Sequence, residues 1–291
     1  GTLTKLRILY DMVICVDRVR KKIDKFLDLI YKSGTHNTYI KSDTIDTTNK
    51  SPRVFRGITR IETIKQCLDN SIDFYYIDTG YMGCYPQKNW HRFVKNNFQT
   101  LNHKDISKDI EFKLRFKNIM DINYDNYKPN KQIKGDNILL IPPSEKVLRC
   151  LTTMKHVDFR QQEFIDYVIK EVKKYTDRPI NIRRKVPKKT RGSRGFCDTL
   201  DNIYCVISLH TMAVTEVLRE GIPVISMHPG VLKNYSSNKI SQINNLYYPS
   251  DTERGKLFNC LTNIQFTNQE LVDGEALETM CDYYNIKILP K

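Results

Sequence analysis

A short polar run, Ser208-Leu209-His210-Thr211, interrupts the apolar stretch that ends at Ile207 and the helical pattern that starts near Met212. Two hydroxyls and an imidazole placed there can donate to phosphate oxygens, because the carboxyl end of a buried strand and the unpaired N–H groups opening the next helix face the same way. Glu216 falls about one and a half turns into that helix, where a carboxylate can accept from both hydroxyls of a ribose. The plainer alternative is that Ser208 and Thr211 cap the helix and Glu216 is solvated. Both readings fit this unit taken alone.

Three further groups carry possible chemistry. Arg183, Arg184 and Lys185 follow the short strand Pro179–Ile182, and Lys188, Lys189, Arg191 and Arg194 continue the charge into a loop. Arg183 and Lys185 are the candidates for neutralising a diphosphate and the charge developing on a leaving group. The other cations are solvated or lie near a polyanion. His228 follows the strand Pro223–Ser226, so it faces the same edge and can contact a nucleobase or sugar, or serve only as a structural histidine. Asp78 follows the strand Phe74–Ile77, with Gly80 and Gly83 allowing a tight turn beyond it. A carboxylate so placed can deprotonate an acceptor hydroxyl, or can merely bond its own turn amides. Asp11 is the second candidate for that role.

In the first half, Arg53, Arg56 and Arg60 form one basic cluster, and Lys88, His91, Arg92 and Lys95 form another. Arg56, Arg60, Lys88 and Arg92 are the candidate contacts to nucleic-acid phosphates, with a solvated face as the alternative. Tyr75, Tyr76, Tyr81, Tyr85 and Trp90 could stack on a base or sugar, although core packing is the commoner use of such residues. No Gly-x-Gly-x-x-Gly loop, no Walker-type lysine loop and no acidic or Cys/His cluster at metal-ligand spacing occurs. Asp198-Thr-Leu-Asp201 has the wrong spacing for a metal-binding Asp-x-Asp. The expectation is metal-independent chemistry without a cofactor.

The elements that must position these residues read as α/β. Leu6–Val16 reads as a strand and turn around Asp11, and Val19–Tyr31 as an amphipathic helix. The segment 33–52 reads as a loop, Ile61–Leu68 as a helix and Phe74–Ile77 as a strand. The segment 106–130 gives no clear pattern. A second block has a strand at Asn137–Ile141, a helix at Gln161–Tyr175, strands at 179–182 and 204–207, a helix at 211–220 and a strand at 223–226. Continuous apolar strands alternating with helices imply parallel strands buried on both faces. The expected boundary gives domains 1–134 and 135–291.

The turn Ser208-Leu-His-Thr-Met-Ala213, Glu216 and the exit Gly221-Ile-Pro-Val224 together resemble the donor-binding segment of glycosyltransferases of the GT-B kind. The closer resemblance is to glycosyltransferases of tailed bacteriophages. It extends to Phe74–Gly83 with the basic Lys88–Asn97, to Ile138–Ser144 with its Pro-Pro-Ser end, and to the closing block Ile264–Ala276. With their flanks these blocks cover about half of the chain. The resemblance implies two Rossmann-like domains facing a cleft, in a compact version. It also implies a donor site at Ser208, His210, Thr211 and Glu216, and transfer of a sugar from a nucleotide donor, a UDP-sugar, to a 5-hydroxymethylpyrimidine in double-stranded DNA. An infected bacterial cytoplasm is the implied setting, and the last residues, Cys281–Lys291, are expected to return to the first domain.

Composition is compatible with that reading. The chain has 291 residues, 40% hydrophobic and 27% charged, with 47 Lys and Arg against 33 Asp and Glu, a formal net charge of +14. Such an excess favours a polyanionic partner, although the abundance of Asn, Lys, Ile and Tyr also suggests drift in an AT-rich genome. The eight cysteines are scattered, several in apolar runs, as expected of small core residues in a reducing compartment. No apolar run approaches the roughly 18 residues of a membrane span. Two rivals remain at this stage: a same-fold glycosyltransferase or epimerase acting on a glycan or free nucleotide sugar, and a non-catalytic nucleic-acid-binding protein.

Overall fold

The structure, a computed structural model, describes residues 13–15, 38–40, 46–58, 61–82, 90–99, 135–154, 157–185, 200–228, 230–273, 275–276 and 279. The chain divides into two compact units, one of Gly1–Thr100 with Asn263–Lys291 and one of Leu101–Thr262. The division is not a single cut near residue 134: the segment after Thr262 belongs with the amino-terminal unit.

In the first unit, β1 (Val13–Cys15), β2 (Thr38–Ile40), β3 (Arg53–Arg56) and β4 (Phe74–Thr79) run parallel, in the spatial order β2-β1-β3-β4. Two antiparallel strands extend the sheet beyond β4: β5 (His91–Lys95) and then β10 (Gln265–Phe266). Helix α1 (Ile61–Asp69) connects β3 to β4 and buries Ile61, Ile64 and Cys67 at the one-turn spacing of an amphipathic helix. Val54, Phe55, Phe74, Ile77, Phe93 and Val94 are wholly buried, and Tyr75 stacks on Phe93 with ring centroids 5.1 Å apart. Each such side chain contributes roughly 1.5–3 kcal/mol by leaving water.

The second unit has four parallel strands in the order β7-β6-β8-β9: β6 (Asn137–Ile141), β7 (Ile180–Ile182), β8 (Ile203–Ser208) and β9 (Val224–Ser226). The helices are α2 (Glu145–Thr153), α3 (Gln161–Val172), α4 (Ala213–Arg219) and α5 (Asp251–Asn263); α6 (Asn268–Val272) follows β10 in the first unit. Ile138 and Leu140 project to one face of β6 and Leu139 and Ile141 to the other, all under a tenth exposed. That is why β6 reads as an unbroken apolar run. Phe164, Ile165, Val168 and Val172 of α3 join Ile138, Leu140, Cys205 and Ile207 in one core cluster.

Several elements escape the apolar pattern. The expected loop at 33–52 contains β2. Strand β3 was hidden in a basic cluster, because Arg53 is 1% exposed and its guanidinium donates to the backbone carbonyls of Ser51, Asp46 and Asn49. Helix α5 buries Arg254, Asn259 and Thr262 beside its apolar residues. Arg254 donates to the Pro249 carbonyl and the Tyr248 hydroxyl, pairs with Asp251 and lies over the Tyr248 ring. Cys67, Cys150, Cys205 and Cys260 are buried and form no disulfide, and burial pushes the Cys205 thiol up to about 12. Among the described residues no helix is long and apolar enough to cross a membrane.

Gly135 opens β6 where it passes the backbone of Asn202 and Ile203; a Cβ there would lie 2.4 Å from main-chain atoms of both. Gly135→Ala is expected to destabilise the protein by about 2 kcal/mol, as overpacking against an unyielding backbone does. A wild-type urea midpoint for this variant would show that the β6–β8 start can open at little cost.

Candidate functional site

In the second unit the chain winds from β6 to β7 on one side and then to β8 and β9 on the other. Such a reversal opens a crevice beyond the carboxyl ends of the two central strands, the general place for ligands in open parallel sheets. Those ends are Ile141 and Ser208, paired with each other in register. Beyond Ile141 lie Pro142, Pro143 and Ser144, and beyond Ser208 the Leu209–Thr211 turn.

Ser208 is 1% exposed, its carbonyl accepts from Met227 N at 2.9 Å, and its hydroxyl has no hydrogen-bond partner among the described residues. Leaving a buried hydroxyl unsatisfied costs about 1–3 kcal/mol, so the position calls for an explanation that packing does not supply. Ser226 pairs with Ser208 in register, and its hydroxyl donates to the His228 carbonyl at 3.2 Å. The His210 and His228 rings meet edge to face, centroids 5.5 Å apart. Two imidazoles that follow separate strands therefore meet at the edge where the strand carrying the buried Ser208 hydroxyl ends.

Helix α4 is shorter than its sequence pattern, seven residues beginning at Ala213. Thr211 turns its hydroxyl to accept from Ala213 N at 3.3 Å, so it does part of the capping that sequence offered as the alternative to phosphate binding. Glu216 is one-fifth exposed and pairs with Arg219 at 3.1 Å, and Arg219 also meets Glu220 at 2.9 Å. A ribose at Glu216 would share the carboxylate with that guanidinium. The helix ends as Gly221 predicts: its φ is +87°, and the N–H groups of Gly221 and Ile222 donate to the carbonyls of Leu218 and Val217. This paired closure requires a left-handed residue, which glycine adopts without strain.

Arg183 and Lys185 follow β7, one strand outward from β6; Arg183 is half-buried and Lys185 exposed. Arg184 between them bonds the side-chain carbonyls of Gln161 and Gln162, at 2.7 and 2.8 Å. The basic stretch 186–199 lies outside the described residues. Sequence reasoning missed Ser144 and Ser226. Ser144 caps α2 by accepting from Val147 N, and Pro-Pro-Ser after an apolar strand is a readable helix-start signal. Nothing in the sequence marks Ser226, whose place depends on its pairing with Ser208.

In the first unit Asp78 sits near the carboxyl end of β4, directly opposite Arg92 of β5. Its carboxylate lies 2.9 Å from Arg56 and 3.9 Å from Arg92, and accepts from the Tyr76 hydroxyl at 2.7 Å and Thr79 N at 2.8 Å. Burial pushes the carboxyl up, but the charges of Arg92 and Arg56 and the bonds from Tyr76 and Thr79 outweigh it. They hold Asp78 far below the usual carboxylate range. Such a group is a weak base before any reaction begins.

Arg92 is 7% exposed; it also donates to the Phe98 and Thr79 carbonyls and lies 5.6 Å from the centre of the Tyr76 ring. The expectation that Arg92 meets a duplex phosphate conflicts with this burial, and Arg56 is likewise directed at Asp78. Arg53, of the same cluster, is buried structure. Tyr75, Tyr76 and Tyr81 are about 1% exposed and belong to the core rather than to a stacking surface. Asp11, Arg60 and Lys88 lie outside the described residues, as does Tyr85, and the described strand β1 starts after Asp11 in sequence. Among the described residues no group of three His, Cys, Asp or Glu could hold a metal ion.

Solved structures share this fold. The chain is similar to the β-Kdo 2,7-transferase of Thermosulfurimonas dismutans KpsC, with 12% identity and a TM-score of 0.53 over 94% of this chain and 99% of that one. It is also similar to the β-Kdo 2,4-transferase of the same KpsC, with 11% identity and a TM-score of 0.50 over 87% and 90% of the two chains. At that identity the likeness establishes the fold: mixed α/β with parallel sheets, as found in these glycosyltransferases. No protein-family model and no curated protein matches the chain.

Because its carboxyl is held below its ordinary value, Asp78 adds stability that is complete above the unfolded carboxylate value and fades as pH falls through the folded one. Asp78→Asn is therefore expected to cost on the order of 2 kcal/mol at pH 7, by leaving Arg56 and Arg92 uncompensated. The gap from wild type should shrink steadily below about pH 4. Urea unfolding at a series of pH values measures both, and a gap that widens in acid would reverse the assignment.

Proposed function

We propose that the protein is a glycosyltransferase that takes a sugar from a nucleotide donor, a UDP-sugar, held on the second unit. The observations that carry the reading are the buried Ser208 hydroxyl, without a partner among the described residues, and the His210–His228 contact, both at the winding reversal of a fold shared with solved glycosyltransferases. A donor diphosphate would give the Ser208 hydroxyl its missing acceptor and would take bonds from the imidazoles. Arg183 and Lys185, on the same edge of the sheet, would neutralise charge on the departing nucleotide, so the reaction runs without a metal. Glu216 would hold the ribose hydroxyls while still paired with Arg219.

The matching order of the four parallel strands in each unit supports two Rossmann-like domains of the GT-B kind. The acceptor belongs to the first unit in this reading. Asp78 takes the acceptor proton only as the new bond to the sugar forms, when the attacking hydroxyl has become acidic enough for a weak base.

For the acceptor, the hydroxymethyl group of a 5-hydroxymethylpyrimidine in double-stranded DNA is supported by the resemblance of the four sequence blocks to phage enzymes. The formal charge of +14 also supports it. The inward use of Arg56 and Arg92 removes part of that support. A glycan acceptor is the second reading, favoured by the Kdo transferases that share the fold.

The test is incubation with a panel of nucleotide sugars and either hydroxymethylated duplex DNA or oligosaccharide acceptors, read by mass spectrometry. A mass gain of one sugar is expected on the modified nucleoside; a gain only on an oligosaccharide would move the acceptor to the second reading. No transfer to either, with no donor hydrolysis, would end the glycosyltransferase reading. Ser208→Ala is expected to weaken donor binding about tenfold or more, the worth of one hydrogen bond to a charged oxygen. An unchanged donor Kd in the folded variant would remove the donor from this turn.

A further inference from the structure

The closing block Ile264–Ala276 is part of the sequence resemblance, yet none of its residues has a role in the donor or acceptor chemistry above. Its strand β10 pairs with β5, Gln265 opposite Arg92 and Phe266 opposite His91. Gln265 is wholly buried. Its side-chain carbonyl accepts from Tyr81 N at 2.7 Å and Met82 N at 3.2 Å, and its amide nitrogen donates to the Met82 carbonyl at 2.9 Å. One side chain thus bonds three main-chain groups of the turn that leaves β4. Beside it, Asn268 meets the His91 ring at 2.9 Å, and Thr267 and Glu270 close a capping box that fixes the start of α6.

The turn gripped by Gln265 follows Asp78 directly. Its first residue, Thr79, receives Arg92 at its carbonyl and gives its N–H to Asp78, and Gly80 N donates to the Trp90 carbonyl at 2.9 Å. From Asp78 to Met82 every residue is therefore tied to a partner on β5, just before it, or on β10. A buried glutamine is an expensive way to fill space, since its two polar ends must both be matched. Apolar side chains of similar volume would fill the same position without that demand. What the glutamine adds is a fixed path for the backbone beyond the carboxylate.

We infer that Gln265 is a positioning residue for the acceptor side of the reaction, holding the Thr79–Met82 turn so that Asp78 and its arginines keep one orientation toward the acceptor hydroxyl. The inference rests on the glycosyltransferase reading and assigns the acceptor edge a determinant far away in sequence. Misplacing a reacting group by about 1 Å can cost on the order of a hundredfold in rate, so a clamp on the turn acts on the rate without any contact to substrate.

The experiment compares Gln265→Leu, which keeps the volume and removes all three bonds, with Gln265→Glu, which keeps both acceptor bonds and loses the donated one. Donor Kd, acceptor KM, kcat and amide hydrogen exchange at Tyr81 and Met82 are measured on each full-length protein. For Gln265→Leu the expected result is donor Kd within twofold of wild type, kcat/KM for the acceptor down at least thirtyfold, and faster exchange confined to the Thr79–Met82 turn. Gln265→Glu should recover part of the loss, and more at acidic pH, where the protonated side chain can donate again. A folded Gln265→Leu with wild-type kcat and acceptor KM would overturn the inference, as would equal loss of donor and acceptor binding. If Gln265→Leu does not fold, Gln265→Glu alone decides: a kcat/KM that follows its protonation supports the inference, and one insensitive to it overturns it. If wild-type protein transfers no sugar, the functional reading has failed separately. Exchange then decides the clamp, with local loss of protection supporting it and an unchanged turn refuting it.

Discussion

The ladder between β6 and β8 is the constraint from which the second unit follows. Its register sets Ile141 against Ser208, and so fixes where both central strands stop. Because side chains alternate, a slip of one residue would exchange the two faces of each strand and carry the Ser208 hydroxyl away from the edge. The register is guarded by burial on both faces: Ile138 and Leu140 pack against α3, and Leu139 and Ile141 pack on the opposite side. From that edge the chain can leave only by tight polar turns, and these turns deliver Ser144, His210 and His228 to one end of the sheet. Hydrophobic packing thus positions groups that are not hydrophobic, and the site inherits the rigidity of the core.

The arginines show a second principle. Arg53, Arg92 and Arg254 are each under a tenth exposed, and all three direct donors at carbonyl oxygens near the ends of strands and helices, Arg92 and Arg254 also facing a carboxylate. A formal charge of +14 counts them as though they faced solvent. Their fields are partly cancelled by the oxygens they bind, so the charge available for attracting a polyanion is smaller than the sequence sum. The same holds at Asp78, where two guanidinium groups and one carboxylate form a nearly self-contained cluster.

How far the sequence was legible depends on how each residue reports its surroundings. Strands β6 and β8 and helix α3 are buried by apolar side chains, and their patterns matched the structure to within a few residues at their ends. Gly221 announced the end of α4 because only a left-handed residue suits that closure. Strands β3 and β5 were concealed because their arginines are buried, which inverts the usual meaning of charge. Helix α5 was concealed because Arg254, Asn259 and Thr262 lie among its buried residues. The two histidines could be placed on one sheet edge from sequence, but their contact could not, since it depends on the spacing of β8 and β9. The empty hydrogen-bond capacity of Ser208 is a property of its surroundings and has no sequence signature at all.

Strand β10 completes a sheet whose other five strands all precede the second unit in the chain. While the polypeptide is being made, β5 must therefore wait with an open row of backbone donors and acceptors until the whole of Leu101–Thr262 has emerged. An unpaired edge of this kind invites pairing with a neighbouring chain. The second unit can bury its own core during that interval, so synthesis favours an order in which the later-encoded unit closes first. The two-residue length of β10 fits this history: it is short enough to dock late, against His91 and Arg92 alone.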